Sequence, residues 1–282
     1  MRLDIRKFLV LIIFLFATCA ADAQQKDHVA DNYRAETKDW FTYCMSHRDY
    51  EIDIYALNSV PFVSDLAGDD RFDVTVKPSC NFSRRSDEKN IKGIVVHYTN
   101  GDSDGSSSWF QNRYPGTSAH YIIDRDGSII QAIPEAYTAY HLGCYWSREN
   151  CEICPDSLCD NNGYFSDPIE TTIAIELENA GPVFEQPDGT FETIFHKKIE
   201  EDSGIYFYFG TNKNYQASRY YQTFTDAQLN TLRNLIDSIE TRYGHKMIIL
   251  GHDDIMQASL DPGPAFPREE FFRYEFENEK KQ

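Results

Sequence analysis

The sequence predicts an α/β protein with a mixed central β-sheet flanked by helices. Three observations carry this. Continuous apolar runs of strand length occur at residues 91–99 (IKGIVVHYT) and 246–255 (KMIILGHDDI), as in strands buried on both faces. HYIIDRDGSIIQAI reads as two strands joined at an Asp126-Gly127 turn, and TTIAIELEN, residues 171–179, alternates and is β-rich. Between these, FTDAQLNTLRNLIDSIETRYG has the period of an amphipathic helix. Strands and helices mixed in this order suit a sheet covered by helices.

That helix is specified at both ends. Thr225 is the expected N-cap and Gln228 completes a capping box, with Phe224 placed to staple onto Leu229. Leu229, Leu232, Ile236, Ile239 and Tyr243 define its apolar face, and Gly244 ends it. A second helix is expected around SSSWFQNRY with a serine cap, and DNYRAETKDWFTYCMSH has helical character. The aromatic stretch from about residue 181 to 222 reads as an irregular insertion.

The first 23 residues have the form of a secretory signal peptide. Arg2, Arg6 and Lys7 precede an apolar run from Phe8 to Ala17, and Ala21-Asp22-Ala23 supplies an A-x-A cleavage site. The run is short for a transmembrane helix, so no stable membrane span is expected after cleavage, and Cys19 lacks a good lipoprotein box. The expected location is periplasmic or secreted. Six cysteines then remain, and four of them crowd the stretch 144–159 (Cys144, Cys151, Cys154, Cys159). In an oxidising compartment disulfides are the favoured reading, with a four-thiolate zinc knot as the rival; spacing does not assign the pairs. Residues 24–90 form an N-terminal extension, and 91–282 the main domain.

The formal net charge of −18 argues against non-specific nucleic-acid binding and against electrostatic docking on anionic membranes. The candidate chemistry lies elsewhere. His97 and His252 close two apolar strands, and Asp261 follows on a loop stiffened by Pro262 and Pro264. Two imidazoles and a carboxylate are a common catalytic zinc set, with water in the fourth position. Glu176 and Glu178 lie on one face of the same strand. A carboxylate there is costly to bury unless paired or functional, which singles out Glu176; a solvent-facing role fits Glu178 better, nearer the strand end.

IVVHYTNG, TSAHYIIDRDGSIIQAIPE, AYHLG, TTIAIELENAG, FTDAQLNTLRNLI and GHDDI with DPGPAFP occur in this order over about residues 91–267. Together they resemble the zinc-dependent N-acetylmuramoyl-L-alanine amidases related to peptidoglycan recognition proteins. The resemblance implies zinc held by His97, His252 and Asp261, with Glu176 as the catalytic glutamate. His141 and Tyr98 are the expected substrate-binding residues, whereas His120 is expected to pack. The implied partner is peptidoglycan or muramyl-peptide fragments. One departure stands out: bacterial relatives often carry a lysine two residues before the aspartate ligand, thought to stabilise the oxyanion, where this chain has Ser259. Losing such a donor commonly costs about 3 kcal/mol of transition-state stabilisation. Ser259 is therefore expected to supply a hydroxyl donor, and the alternative to an enzyme is a non-catalytic peptidoglycan-binding recognition protein.

Overall fold

The computed structural model describes residues 38–46, 53–60, 62–112, 116–142, 168–200, 202–212, 215–216, 218–256 and 259–273. The expected signal peptide and the cysteine-rich stretch 144–159 lie outside the described residues.

The central sheet has six strands: β1 (Val74–Val76), β3 (Gly93–Tyr98), β4 (Tyr121–Ile123), β5 (Ile129–Gln131), β7 (Thr172–Leu177) and β12 (Ile248–Gly251). Their order is β1-β5-β4-β7-β3-β12. Pairing is parallel except between β4 and β5, the hairpin turned at Asp126-Gly127. The sheet is therefore mixed, as expected. β12, β3 and β7 run parallel side by side, so their C-terminal ends open together at one edge of the sheet.

Both faces are covered, which explains the continuous apolar runs. Ile94, Val96, Tyr121, Ile123, Ile173, Ile175 and Leu177 point to one face and pack under Leu232, Leu235, Ile236 and Ile239. These four side chains belong to the long helix α5 (Asp226–Tyr243), which has the capping box at Thr225 and ends at Gly244 in the left-handed conformation. Leu235 joins the buried face that the sequence defined without it. On the other face Phe110 packs with Ala119, Ile122, Ile130 and Ala174. Phe110 belongs to α3 (Ser103–Gln111), whose cap is Asp102 and not a serine: its carboxylate accepts from Gly105 N–H at 2.6 Å, so the helix starts earlier than expected.

The extension is built into the fold. α1 (Lys38–Ser46) and α2 (Ile54–Asn58) bring Trp40, Cys44 and Leu57 against Cys80, Ile133, Tyr137 and Ala139. β2 (Phe82–Arg84) pairs with β6 (Tyr137–Ala139), and a disulfide joins Cys44 to Cys80. Cys144, Cys151, Cys154 and Cys159 lie outside the described residues.

Residues 181–222 are not irregular. They form an antiparallel sheet ordered β10-β11-β8-β9, comprising β8 (Pro182–Glu185), β9 (Phe191–Thr193), β10 (Ile205–Phe207) and β11 (Tyr220–Gln222). Strands of three or four residues are too short to print a period on the sequence. The Pro187-Asp188-Gly189 turn between β8 and β9 was the readable signal. Three further short helices, α4 (Pro168–Thr171), α6 (His252–Ile255) and α7 (Arg268–Phe271), position loops around the site. Among the described residues no helix is long and apolar enough to cross a membrane.

Candidate metal centre

The shared edge of β12, β3 and β7 supplies three of the site's side chains. His97 stands one residue before the end of β3, Glu176 one before the end of β7, and His252 follows β12 directly as the first residue of α6. His97 and Glu176 are register partners across the β3–β7 ladder. Alternation turns both to the face that α3 covers, since Ala174 packs there with Phe110. The ladder thus fixes their spacing before any side-chain interaction does. Asp261 arrives on the loop after α6, and its carbonyl accepts from Asp253 N–H at 2.8 Å.

His97 and His252 are buried and Asp261 nearly so. His97 Nδ1 lies 2.7 Å from Asp261 Oδ2, and His252 Nδ1 lies 3.1 Å from both carboxylate oxygens. The other nitrogen of His252, Nε2, is 3.2 Å from Met256 Sδ. A thioether only accepts, so a hydrogen on Nε2 would satisfy that contact and leave the Nδ1 lone pair free for a metal ion. Donor atoms of His97, His252 and Asp261 all lie within 4.8 Å of one another. The donor set and its convergence fit a zinc-type ion.

Burial would raise the Asp261 pKa, but His252 and then His97 outweigh it and hold the carboxyl far below the ordinary range. Burial lowers the His97 pKa, against the pull of Asp261, which keeps the imidazole neutral as a ligand must be. Glu176 Oε2 is buried with no hydrogen-bond partner among the described residues. Burial and then the charge of Asp261 push its pKa well above the usual carboxylate value. A buried carboxyl oxygen left without a partner is costly, and such groups concentrate at working sites.

The remaining expected residues fall as follows. His141 touches the centre: its Nδ1 is 3.1 Å from His97 Nε2, and burial, then His97, depress its pKa strongly. Tyr98 ends β3 on the face opposite His97, packed against the core under α5 and not toward the centre as expected of a substrate contact; its ring lies over Gly181, whose φ of +65° and lack of a Cβ leave room for it, and an added Cβ would meet the ring at 2.6 Å. Ser259 is buried two residues before Asp261, and its N–H donates to Met256 O at 2.9 Å. His120 lies in the core, its Nδ1 accepting from Ala174 N–H and its Nε2 donating to Tyr137 O, as expected of a packing residue. Glu178 differs from expectation. It is half-buried, not solvent-facing, and hydrogen-bonded to Asp124; burial, with that bond, pushes its pKa up to about 7.

Sequence reasoning read Asp254 as a loop-bracing residue but missed the arginines and Tyr215 that complete the framework. Arg268 on α7 donates to Asp253, to Asp254 Oδ1 at 2.8 Å and to Tyr215 Oη at 3.1 Å. Tyr215 also donates to Asp253, linking residues 181–222 to α6. Asp254 Oδ2 accepts from Gly251 N–H at 2.8 Å, which braces the turn that presents His252. On the opposite side Arg85 is buried and donates to the carbonyls of Glu135, Ile169, Glu170 and Thr172. Neither arginine stands in a recognisable motif.

Comparison with known proteins gives the following. N-acetylmuramoyl-L-alanine amidase A of Achromobacter lyticus is 39% identical over 64 residues, which is 22% of this chain and 35% of that protein. The chain thus matches about a third of the length of that relative. Among solved structures, the E. coli amidase AmiD, in complex with anhydro-N-acetylmuramic acid-L-Ala-D-gamma-Glu-L-Lys, aligns at 25% identity and a TM-score of 0.40, covering 64% of this chain and 56% of its own. AmpDh3 of Pseudomonas aeruginosa, with anhydromuramic pentapeptide, aligns at 21% identity and a TM-score of 0.40, covering 64% of this chain and 58% of its own. The model of the N-acetylmuramoyl-L-alanine amidase family matches residues 87–264, which is more than half of the chain and includes His97, Glu176, His252 and Asp261, and the chain belongs to that family.

Proposed function

We propose that the protein is an exported zinc hydrolase that cleaves the amide bond between N-acetylmuramic acid and L-alanine of peptidoglycan stem peptides. Intact peptidoglycan and muramyl-peptide fragments are the substrate class. The observation that carries this reading is the buried, unpartnered Oε2 of Glu176 beside a convergent set of His97, His252 and Asp261 donors.

When held by those three residues, zinc supplies Lewis-acid polarisation of the amide carbonyl and lowers the pKa of water. Glu176 takes a proton from the attacking water and returns it to the departing amine of L-alanine. Its raised proton affinity suits the second half of that duty. Ser259 contributes a hydroxyl toward the oxyanion in place of the family lysine. Export follows from the signal-peptide pattern of residues 1–23, and the Cys44–Cys80 disulfide suits an oxidising compartment. The protein then acts in the periplasm or outside the cell.

The test is metal content and turnover of a muramyl-tripeptide by the purified full chain, Glu176→Gln and Asp261→Ala. Wild type should hold one zinc and release the peptide. Glu176→Gln should keep the zinc and lose about 100-fold or more in kcat, and Asp261→Ala should lose both. Zinc-loaded wild type that retains muramyl-peptide without forming product would replace this reading with a non-catalytic binding protein.

A further inference from the structure

His141 was expected to touch substrate, yet both of its ring nitrogens are already engaged. The directions of its hydrogen bonds follow from a fixed end. Pro168 O only accepts, and Thr172 Oγ1 donates to it at 2.6 Å. The single hydrogen of that hydroxyl is thereby spent. Thr172 Oγ1 lies 3.2 Å from His141 Nε2, so in this contact the ring nitrogen donates and the oxygen accepts. A neutral imidazole with hydrogen on Nε2 has a lone pair on Nδ1. His141 Nδ1 is 3.1 Å from His97 Nε2, which must then donate to it. The two rings stand at 90°, which suits an N–H of one directed at the lone pair of the other. With its hydrogen on Nε2, neutral His97 presents a bare Nδ1 toward Asp261 Oδ2.

We propose that Thr172 and His141 are positioning residues that lock His97 in the Nε2–H tautomer, so that Nδ1 is its metal-donor atom. This rests on the zinc reading above. The opposite tautomer would reverse every link. His97 would donate from Nδ1 to Asp261, His141 would donate to His97, and Thr172 would have to donate to His141 and abandon Pro168 O. The 2.6 Å contact between two oxygens would then hold no hydrogen. Arg85 keeps the acceptor end in place, because it donates to the carbonyls of Ile169 and Glu170 on α4 and to that of Thr172 itself. His252 reaches the same tautomer by another route, through Met256 Sδ, so both histidines offer Nδ1 to one point. Partners of this kind fix ring orientation and tautomer in metal sites, and their loss weakens metal binding by about 10–100-fold.

The experiment measures zinc affinity by competition with a chromogenic chelator, and kcat and KM on the muramyl-tripeptide, for wild type, Thr172→Val, Thr172→Ser and His141→Phe. Circular dichroism confirms that each variant is folded. Thr172→Val and His141→Phe should bind zinc about 10–100-fold more weakly, and Thr172→Ser, which keeps the hydroxyl, should restore wild-type affinity. Unchanged zinc affinity with raised KM in His141→Phe would make His141 a substrate contact and overturn the proposal. Equal losses in Thr172→Val and Thr172→Ser would reduce Thr172 to a packing residue and overturn it as well. Wild type that takes up no zinc would sink the metal reading itself, and the lock with it; tight wild-type binding with indifferent variants would sink only the lock.

Discussion

Replacing Arg268 with methionine tests the framework under the loop that carries Asp261. The Asp253 side chain is only 2% exposed, and Arg268 is its charged partner there. Removing one member of a buried pair costs about 3–5 kcal/mol. The Arg268 side chain is 29% exposed, so water screens part of the loss and the lower end, ~3 kcal/mol, applies. Its guanidinium also sits 4.9 Å from the Phe272 ring centroid, a contact worth about 0.5–1 kcal/mol. Methionine preserves much of the apolar stem, so packing is not the main loss. The deficit must depend on pH. Burial already pushes Asp253 up to about 6 against the pull of Arg268. Without the arginine its folded pKa rises further. A group with a raised folded pKa stabilises fully below its unfolded value, and that contribution is lost as pH rises through the folded pKa. The variant should therefore lose least near pH 5 and most near pH 8, where it should fall ~3 kcal/mol below wild type. The assay is urea unfolding followed by circular dichroism at pH 5, 7 and 8. Arg268→Met combined with Asp253→Asn should recover part of the loss, because the uncompensated charge is gone. A deficit under ~1 kcal/mol at pH 8, or one equal at pH 5 and 8, would show that the pair does not brace the loop.

Three further outcomes follow from particular contacts. Glu178→Gln should raise the Tm at pH 8 and leave it nearly unchanged at pH 5: the folded Glu178 pKa is raised to about 7, so its contribution fades as pH rises through 7, and solvent screening limits the gain to ~1 kcal/mol. Cys44→Ser with Cys80→Ser should lower unfolding stability by ~3–4 kcal/mol, since the bridge closes a loop of sequence separation 36, and limited proteolysis should then cut first before residue 60. Thr225→Ala should cost ~1–2 kcal/mol in thermal unfolding, because its hydroxyl both accepts from Gln228 N–H and donates to Arg125 O at 2.6 Å; a change below ~0.3 kcal/mol would mean that water replaces both bonds.

The sheet was legible because its strands are buried on both faces and print continuous apolar runs. The helix α5 was legible because its cap, its period and its terminal glycine agree. His97, His252 and Asp261 could be named because two apolar strands end in histidine and a proline-flanked aspartate follows nearby. What stayed hidden depends on contacts between segments distant in sequence. Glu178 looked like a residue at a strand edge; Asp124, the first residue after the neighbouring strand, makes it half of a hydrogen-bonded carboxyl pair. The sheet of residues 181–222 is built from strands too short to carry a period. Arg85 and Arg268 gave no signal, because an arginine that serves backbone carbonyls or paired acids needs no neighbouring pattern.

The arginines also explain how a chain with 45 acidic and 27 basic residues keeps a precise site. His97 and Glu176 sit on a hydrogen-bonded ladder, which fixes their backbone register. His141 and Asp261 sit on loops, where backbone carbonyls and carboxylates lack ladder partners and must find donors elsewhere. Arginine suits that duty, since one guanidinium offers five donors in a rigid fork and stays charged when buried. Arg85 secures α4, against which Thr172 directs the His141 chain. Arg268 secures α6 and, through Asp253, the carbonyl of Asp261. Arg125 donates to Thr223 O and Ser203 O, tying residues 181–222 to the β4–β5 hairpin. Each joint ties a loop to a regular element. A substitution at Arg85 or Arg268 should therefore disturb the loop-borne half of the site, His141 and Asp261, while leaving the register of His97 and Glu176 intact. Metal affinity should fall in such variants well before the sheet unfolds, which separates a failure of the joints from a failure of the fold.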